Sequence, residues 1–87
     1  MTVGDFAERV AVLAIRHKFS VVSWGRSEKR NRDVGGNVNS LHRLFLAVDV
    51  VLEEGESVAV LALGCTRIGL ELIEEPESIH IQVPRPA

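Results

Sequence analysis

The stretch Leu46–Glu53, which reads Leu-Ala-Val-Asp-Val-Val-Leu-Glu, carries the clearest information about the fold of this chain. Its apolar and β-branched residues predict a buried strand that ends at the turn-forming residues 54–56. Asp49 interrupts the apolar run, and a buried carboxylate costs free energy unless a partner compensates its charge. We therefore expect a buried strand whose carboxylate meets such a partner, and a zinc ion is one.

The rest of the chain predicts further helices and strands on both sides of this strand. The spacing of apolar residues gives, in chain order, a helix over 2–18, strands over 19–24 and 46–53, a helix over 57–67 and strands over 70–73 and 79–83. Thr2 and Asp5 would cap the first helix, and Gly69 would end the second. The polar segment 25–40 predicts a long loop. This order favours an α+β fold: one small domain over residues 1–87 with a mainly antiparallel sheet and two helices.

Charge and composition exclude several classes of protein. With 46% hydrophobic and 25% charged residues, the chain has the composition of a globular domain rather than of a disordered segment. Its net charge of −2 gives no general attraction to nucleic acid, and Glu28 and Asp33 offset the basic residues between Arg26 and Arg32. We therefore expect no nucleic-acid partner, and we expect the domain to be a monomer.

The apolar segments are too short to cross a membrane. The longest, Val58–Cys65, is far shorter than the roughly 20 residues that a spanning helix needs. Asp5 and Glu8 interrupt the N-terminal region before any signal peptide could form. We therefore expect synthesis in the cytoplasm, no membrane insertion, and export or release by another route. Cys65 is the only cysteine, which excludes a disulfide within the chain, and its apolar neighbours predict a small buried residue.

Strand geometry predicts where the candidate site residues meet. Side chains alternate between the two faces of a strand, so His80 and Gln82 share the face opposite Ile79 and Ile81. If this face and the face that carries Asp49 line one cleft, then Asp49 and His80 converge there.

Two further residues, one ligand and one base, complete a candidate catalytic metal site. His42 precedes Asp49 by seven residues and would reach the cleft from the turn before the strand. Two histidines and an aspartate are ligands that zinc accepts, and three protein ligands with a fourth position open to water are typical of catalytic zinc. Glu77, three residues before His80, would then accept a proton from that water. Singly, each residue also has an ordinary explanation: a surface turn for His42 and Glu77, and an edge strand for His80.

A longer pattern links these residues to the polar segment before them. It comprises, in chain order, Ser23-Trp24-Gly25-Arg26-Ser27, Asn31, Val34-Gly35-Gly36, Asn39-Ser40-x-His42, Leu46-Ala47-x-Asp49, Leu70 and Glu77-x-x-His80-x-Gln82. With this pattern over roughly three quarters of its length, the chain resembles the zinc D-alanyl-D-alanine carboxypeptidase family, which includes phage endolysin peptidases.

The resemblance implies a zinc-dependent hydrolase that cleaves a peptide bond in peptidoglycan stem peptides, as a carboxypeptidase or an endopeptidase acting at the cell wall. It implies that the zinc ligands are His42, Asp49 and His80. It further implies that Glu77 is the catalytic base, that Arg26 binds substrate and polarises the scissile bond, and that Ser40 contacts the substrate backbone.

One residue departs from the family pattern. The family places glycine three residues after the first histidine, whereas this chain has Phe45 there. If the backbone at this position has a positive φ or approaches a neighbour closely, phenylalanine brings strain or reshapes the cleft. This departure keeps a second hypothesis open: a catalytically inactive cell-wall-binding or phage structural domain that retains the fold and the zinc site.

Overall fold

A computed structural model describes residues 1–35 and 40–85 of the chain. Its elements are α1 Val3–Arg16, β1 Phe19–Ser23, α2 Glu28–Asp33, a 3-10 helix Leu41–Leu44, β2 Ala47–Leu52, α3 Val58–Arg67, β3 Glu71–Glu74 and β4 Ile79–Gln82. The strands form one antiparallel sheet in the order β1-β2-β4-β3. The expectation of an α+β fold with a mainly antiparallel sheet is confirmed.

The strand predicted over 46–53 is β2, which lies in the sheet between β1 and β4. Apolar side chains of the sheet pack with α1 and α3 into one core, whose buried members are Phe6, Val10, Leu13, Val48, Val50, Leu61, Cys65, Leu70, Ile79 and Ile81. Val50 pairs with Ile79 on this core side, and the neighbouring pair is Asp49 with His80. Alternation turns Asp49 and His80 to the opposite face, so the convergence predicted for them is confirmed.

Polar caps fix the ends of α1 and α3. Thr2 Oγ1 accepts a hydrogen bond from Asp5 N at 3.1 Å, and Asp5 Oδ2 accepts one from Thr2 N at 3.1 Å, which is the reciprocal arrangement of a capping box. The hydrogen bond from the Thr2 backbone lowers the pKa of Asp5 below its usual value. Gly69 has a φ of 74° directly after Ile68, the C-cap of α3, so the predicted glycine supplies the left-handed residue that ends this helix.

The expectation of a loop over 25–40 was wrong, because this segment contains α2. Ser27 caps the helix by accepting a hydrogen bond from Arg30 N at 3.1 Å, and Lys29 Nζ lies 2.9 Å from Asp33 Oδ2 one turn along. α2 contains no apolar residue, so apolar periodicity could not detect it. The described residues contain three α-helices instead of two, and none of the three is long and apolar enough to cross a membrane.

Cys65 occupies the core as predicted. Its side chain is fully buried, and this burial raises the pKa of the thiol to about 11. The thiol is therefore neutral near pH 7 and packs as a small apolar group.

Candidate metal centre

Three potential metal ligands meet on the face of the sheet opposite the core. His42 comes from the 3-10 helix, Asp49 from β2 and His80 from β4. His42 Nε2 is 3.3 Å from Asp49 Oδ2, and His80 Nδ1 is 3.0 Å from Asp49 Oδ1. One ligand atom from each residue lies within 4.8 Å of the others, and the cluster could hold a metal ion.

The sheet positions two of these ligands. β2 and β4 are the inner strands, and they pair antiparallel with Asp49 opposite His80. Side chains in directly opposed positions of such a pair lie close enough to interact. The register of the ladder therefore brings Asp49 and His80 together without any contribution from a loop.

Backbone contacts position the third ligand. Ser40 Oγ accepts a hydrogen bond from His42 N at 3.3 Å and so caps the 3-10 helix. Arg26 N donates to His42 O at 3.0 Å, and Trp24 O lies 2.5 Å from His42 Nδ1. His42 is therefore held by the chain that immediately follows β1.

These contacts also orient both imidazole rings. The carbonyl of Trp24 can only accept a hydrogen bond, so His42 Nδ1 carries a hydrogen and Nε2 faces Asp49. Gln82 Oε1 lies 2.7 Å from His80 Nε2, and Nδ1 on the other side of that ring faces Asp49. Metal-binding histidines are commonly oriented by such a hydrogen bond from their second ring nitrogen.

Two ring nitrogens and one carboxylate thus converge at Asp49. A carboxylate oxygen accepts hydrogen bonds and offers none, so at 3.0 and 3.3 Å either a ring hydrogen or a cation must lie between each nitrogen and the carboxylate. Arg26 Nη2 compensates the carboxylate in part, at 3.5 Å from Oδ2. Two imidazole nitrogens and a carboxylate oxygen form a donor set that zinc accepts. The residues present therefore fit a divalent metal ion.

One pocket collects most of the predicted site residues. The described residues that line it are Arg26, Ser40, Leu41, His42, Asp49, Glu75, His80, Gln82 and Arg85. They include the three predicted ligands and both predicted substrate-binding residues, Arg26 and Ser40. A second contact fixes the Arg26 side chain, because its Nη1 donates to Oδ1 of the buried Asn31 at 3.3 Å.

Glu77 has a different location from the other predicted residues. It is exposed in the turn between β3 and β4 and is not among the described residues that line the pocket, whereas Glu75 is. The backbone N of Glu75 donates to Ser78 O at 3.0 Å across this turn. Sequence reasoning missed Glu75 because the spacing to His80 selects Glu77. It missed Arg85 because that residue follows the last strand outside any motif.

Phe45 has the backbone conformation that its position in the pattern suggested. Its φ is 60° and its ψ is 28°, a left-handed conformation that costs a non-glycine residue roughly 1–2 kcal/mol. Its ring lies against Gly25, where an added Cβ would clash with the ring. Trp24 Nε1 donates to Phe45 O at 3.2 Å. The strained residue is thus tied to the same segment that orients His42.

Comparison with known proteins identifies no relative: no protein-family model, curated protein or solved structure matches the chain. Gly36 and Asn39 of the family pattern lie outside the described residues. The geometry of the candidate metal centre and the residues around it therefore provide the basis for a function.

Proposed function

We propose that this protein is a zinc-dependent peptidase that hydrolyses a peptide bond in peptidoglycan stem peptides at the cell wall. The observation that carries the proposal is the convergence of two imidazole nitrogens, His42 Nε2 and His80 Nδ1, on the buried Asp49 carboxylate at 3.3 and 3.0 Å. Because His42 and His80 each use their other ring nitrogen in a hydrogen bond, the arrangement favours binding of a cation over proton transfer by the histidines.

Zinc held by His42, Asp49 and His80 would polarise a substrate carbonyl and lower the pKa of an adjacent water molecule to about 7. Arg26 lies in the pocket wall, fixed by Asn31 and by Asp49. Its guanidinium would stabilise negative charge that develops on the scissile carbonyl oxygen, because its position is set before the reaction begins.

Ser40 would bind the peptide backbone of the substrate. Its hydroxyl oxygen already accepts a hydrogen bond from His42 N, and its O–H hydrogen stays available as a donor. A substrate carbonyl that accepts this hydrogen bond would lie beside His42 and therefore near the metal centre.

The turn between β3 and β4 supplies two carboxylates that could accept the proton from water. Glu77 has the family spacing to His80, and Glu75 lines the pocket. We assign the base to Glu77 on the strength of the resemblance, with Glu75 as the alternative. A base in this turn would then pass the proton to the leaving amine.

Matched glutamine variants test this assignment. Glu77→Gln and Glu75→Gln preserve the size of the side chain but cannot accept a proton, and neither residue is a proposed ligand. We expect both variants to bind zinc like the wild type, and we expect Glu77→Gln to hydrolyse defined muropeptides at least about a hundredfold more slowly. Products are read by mass spectrometry. A large loss in Glu75→Gln alone would move the base to Glu75, and equal hydrolysis by all three proteins would exclude both.

A cell-wall-binding or phage structural domain without turnover is the second candidate. The exposure of Glu77 outside the pocket and the left-handed Phe45 favour it. This candidate requires zinc-loaded wild type to sediment with purified cell walls while it leaves every muropeptide intact. Phe45→Gly would then show whether the family glycine restores hydrolysis.

A further inference from the structure

A chain of side-chain contacts leads from the edge of the sheet to the metal centre. Gln82 lies directly opposite Glu71 in the pairing of β3 with β4, and its Nε2 donates to Glu71 Oε2 at 3.2 Å. On its other side, Gln82 Oε1 lies 2.7 Å from His80 Nε2. His80 Nδ1 in turn lies 3.0 Å from Asp49 Oδ1. Gln82 is buried and Glu71 is exposed, so the chain connects a surface carboxylate to the site.

The chemistry of Glu71 decides which way the Gln82 amide points. A glutamine amide has a donor end and an acceptor end of nearly equal size, and its orientation follows from its partners. An ionised Glu71 can only accept a hydrogen bond, so it attracts the NH2 group of Gln82. The amide oxygen is then left to face His80.

The orientation of Gln82 decides the tautomer of His80. An amide oxygen requires a donor, so in the neutral ring it holds the hydrogen on His80 Nε2 and frees the lone pair of Nδ1. With Gln82 reversed, its NH2 group would donate to Nε2, and Nδ1 would carry the hydrogen. That hydrogen would bond to Asp49 at the observed 3.0 Å. The two groups would then satisfy each other and leave no ligand atom for a metal on His80 Nδ1.

From these contacts we infer that Glu71 is a positioning residue: it selects the metal-ready tautomer of His80 through Gln82. The inference rests on the proposed metal site. His42 needs no such residue, because its ring contacts the backbone carbonyl of Trp24, which can only accept a hydrogen bond. Neither Glu71 nor Gln82 touches the metal in this scheme. Both act on which nitrogen of His80 carries its proton.

Reversing the charge at position 71 tests the inference. In Glu71→Lys the ammonium group can only donate, so it should attract Gln82 Oε1 and turn the NH2 group to His80. The control is Glu74→Lys, an equal charge change on the same exposed strand, opposite Ile79 instead of Gln82. Long-range ¹H–¹⁵N correlation spectra of metal-free, ¹⁵N-labelled protein at about pH 8, where free imidazole is neutral, report which nitrogen of His80 is protonated.

We expect wild type and Glu74→Lys to show mainly Nε2–H at His80, and Glu71→Lys to show mainly Nδ1–H. Zinc affinity, measured by competition with a chelating dye, should fall about 10- to 100-fold in Glu71→Lys, the usual effect of losing a partner of a ligand. Glu74→Lys should change the affinity less than about twofold, as expected for a screened surface charge. If Glu71→Lys does not fold, Glu71→Ala should shift the tautomer in the same direction by a smaller amount.

The two measurements separate this inference from the proposed function. An unchanged His80 tautomer and unchanged zinc affinity in folded Glu71→Lys would overturn the role of Glu71 and leave the metal site intact. A reversed tautomer in a protein whose wild type binds no zinc would support the role of Glu71 and reject the zinc site. Equal losses of affinity in Glu71→Lys and Glu74→Lys would reduce the effect to general electrostatics and also overturn the inference.

Discussion

The sheet pair β2–β4 and the connecting segment, residues 24–45, hold their candidate ligands by different means. In the sheet pair, ladder register places Asp49 opposite His80, and the side chain of Gln82 contacts the His80 ring. In the connecting segment, backbone groups do both tasks for His42: Arg26 N binds its carbonyl and Trp24 O binds its ring. The ladder therefore sets the positions of Asp49 and His80, whereas the position of His42 depends on backbone contacts with the segment that follows β1.

The two regions also differ in strain. Among the residues that the structure describes, Phe45 in the connecting segment is the one residue other than glycine with a positive φ. The Phe45 ring fits because position 25 is glycine. Such strain persists only where the surroundings enforce it. Here the enforcing contacts include the bond from Trp24 Nε1 to Phe45 O. Substitutions in the two regions should consequently have different effects.

The largest expected effect comes from removing the ligand that the two histidines share. Asp49→Ala should lower zinc affinity by more than about a hundredfold. That factor is the upper range for loss of a residue that only hydrogen-bonds to a metal ligand, and Asp49 is itself a proposed ligand. His42→Ala also leaves two ligands but keeps the negative charge of the Asp49 carboxylate, so its loss should be smaller. Elemental analysis of protein purified without added metal and chelator competition measure both. Equal zinc contents in Asp49→Ala and wild type would reject this ligand set.

A core substitution should affect stability and spare the metal centre. Cys65→Ala removes a fully buried sulfur and should cost about 1–3 kcal/mol in the free energy of unfolding. Because Cys65 packs on the face of the sheet opposite the ligands, zinc affinity and hydrolysis should not change. Denaturant unfolding and a zinc titration on the same sample provide the comparison. Loss of hydrolysis in a folded Cys65→Ala protein would show that the chemistry lies elsewhere.

The strain in the connecting segment can be measured by two substitutions at one position. Phe45→Gly and Phe45→Ala both remove the ring that lies on Gly25, so they differ only in backbone preference. At a φ of 60° the glycine variant should be the more stable by about 1–2 kcal/mol. Chemical denaturation of both proteins gives the difference. If alanine proves as stable as glycine, the left-handed conformation is not imposed by the fold.

The two regions also differ in how far the sequence predicts them. Alternation within two apolar strands was sufficient to predict the sheet, its core face and the meeting of Asp49 with His80, with strand bounds within about two residues. α2 was missed because its stability comes from the Ser27 cap and an ion pair instead of an apolar stripe.

The hydrogen-bond partners of the two histidine rings could not be predicted either. His42 receives its hydrogen-bond acceptor from Trp24, 18 residues earlier in the chain. Gln82 depends on Glu71, 11 residues away on a neighbouring strand. Spacing along a sequence does not encode such pairings, and only the fold brings these groups within hydrogen-bonding distance.

Two equivalent helix caps separate local from global stability. Ser27 caps α2 and Ser57 caps α3 by the same kind of hydrogen bond, to Arg30 N and to Val60 N. Each change to alanine should cost about 1 kcal/mol. In Ser27→Ala the loss should be local, with roughly fivefold faster amide exchange at Asn31, whereas Ser57→Ala should lower the Tm of the whole domain because α3 contributes to the core.

The consequence for the site follows from Asn31, which links α2 to Arg26. If the protein is the proposed peptidase, Ser27→Ala should raise the KM for muropeptides more than it lowers kcat, because a looser α2 weakens the support of Arg26, the proposed substrate-binding residue. Ser57→Ala should change neither parameter at a temperature well below its Tm. If the two variants have the same effect on KM, then α2 does not support the site.

The smallest expected effect on stability comes from the capping box of α1, a helix that packs in the core. The pKa of Asp5 is lowered from 3.8, chiefly by the hydrogen bond from the Thr2 backbone. A carboxyl with a lowered folded-state pKa contributes stability above its unfolded-state pKa and loses that contribution as the pH falls through the folded value. Asp5→Asn keeps an acceptor oxygen but has no charge. Wild type should therefore be slightly more stable than Asp5→Asn at pH 7, and the difference should vanish below the lowered pKa.

Glu8→Gln, an equal charge change on the same helix outside the capping box, is the control for general electrostatics. Zinc affinity at pH 7 should be identical in all three proteins. A stability difference between wild type and Asp5→Asn that did not decrease between pH 7 and pH 2 would show that the charge of Asp5 is not what strengthens the cap.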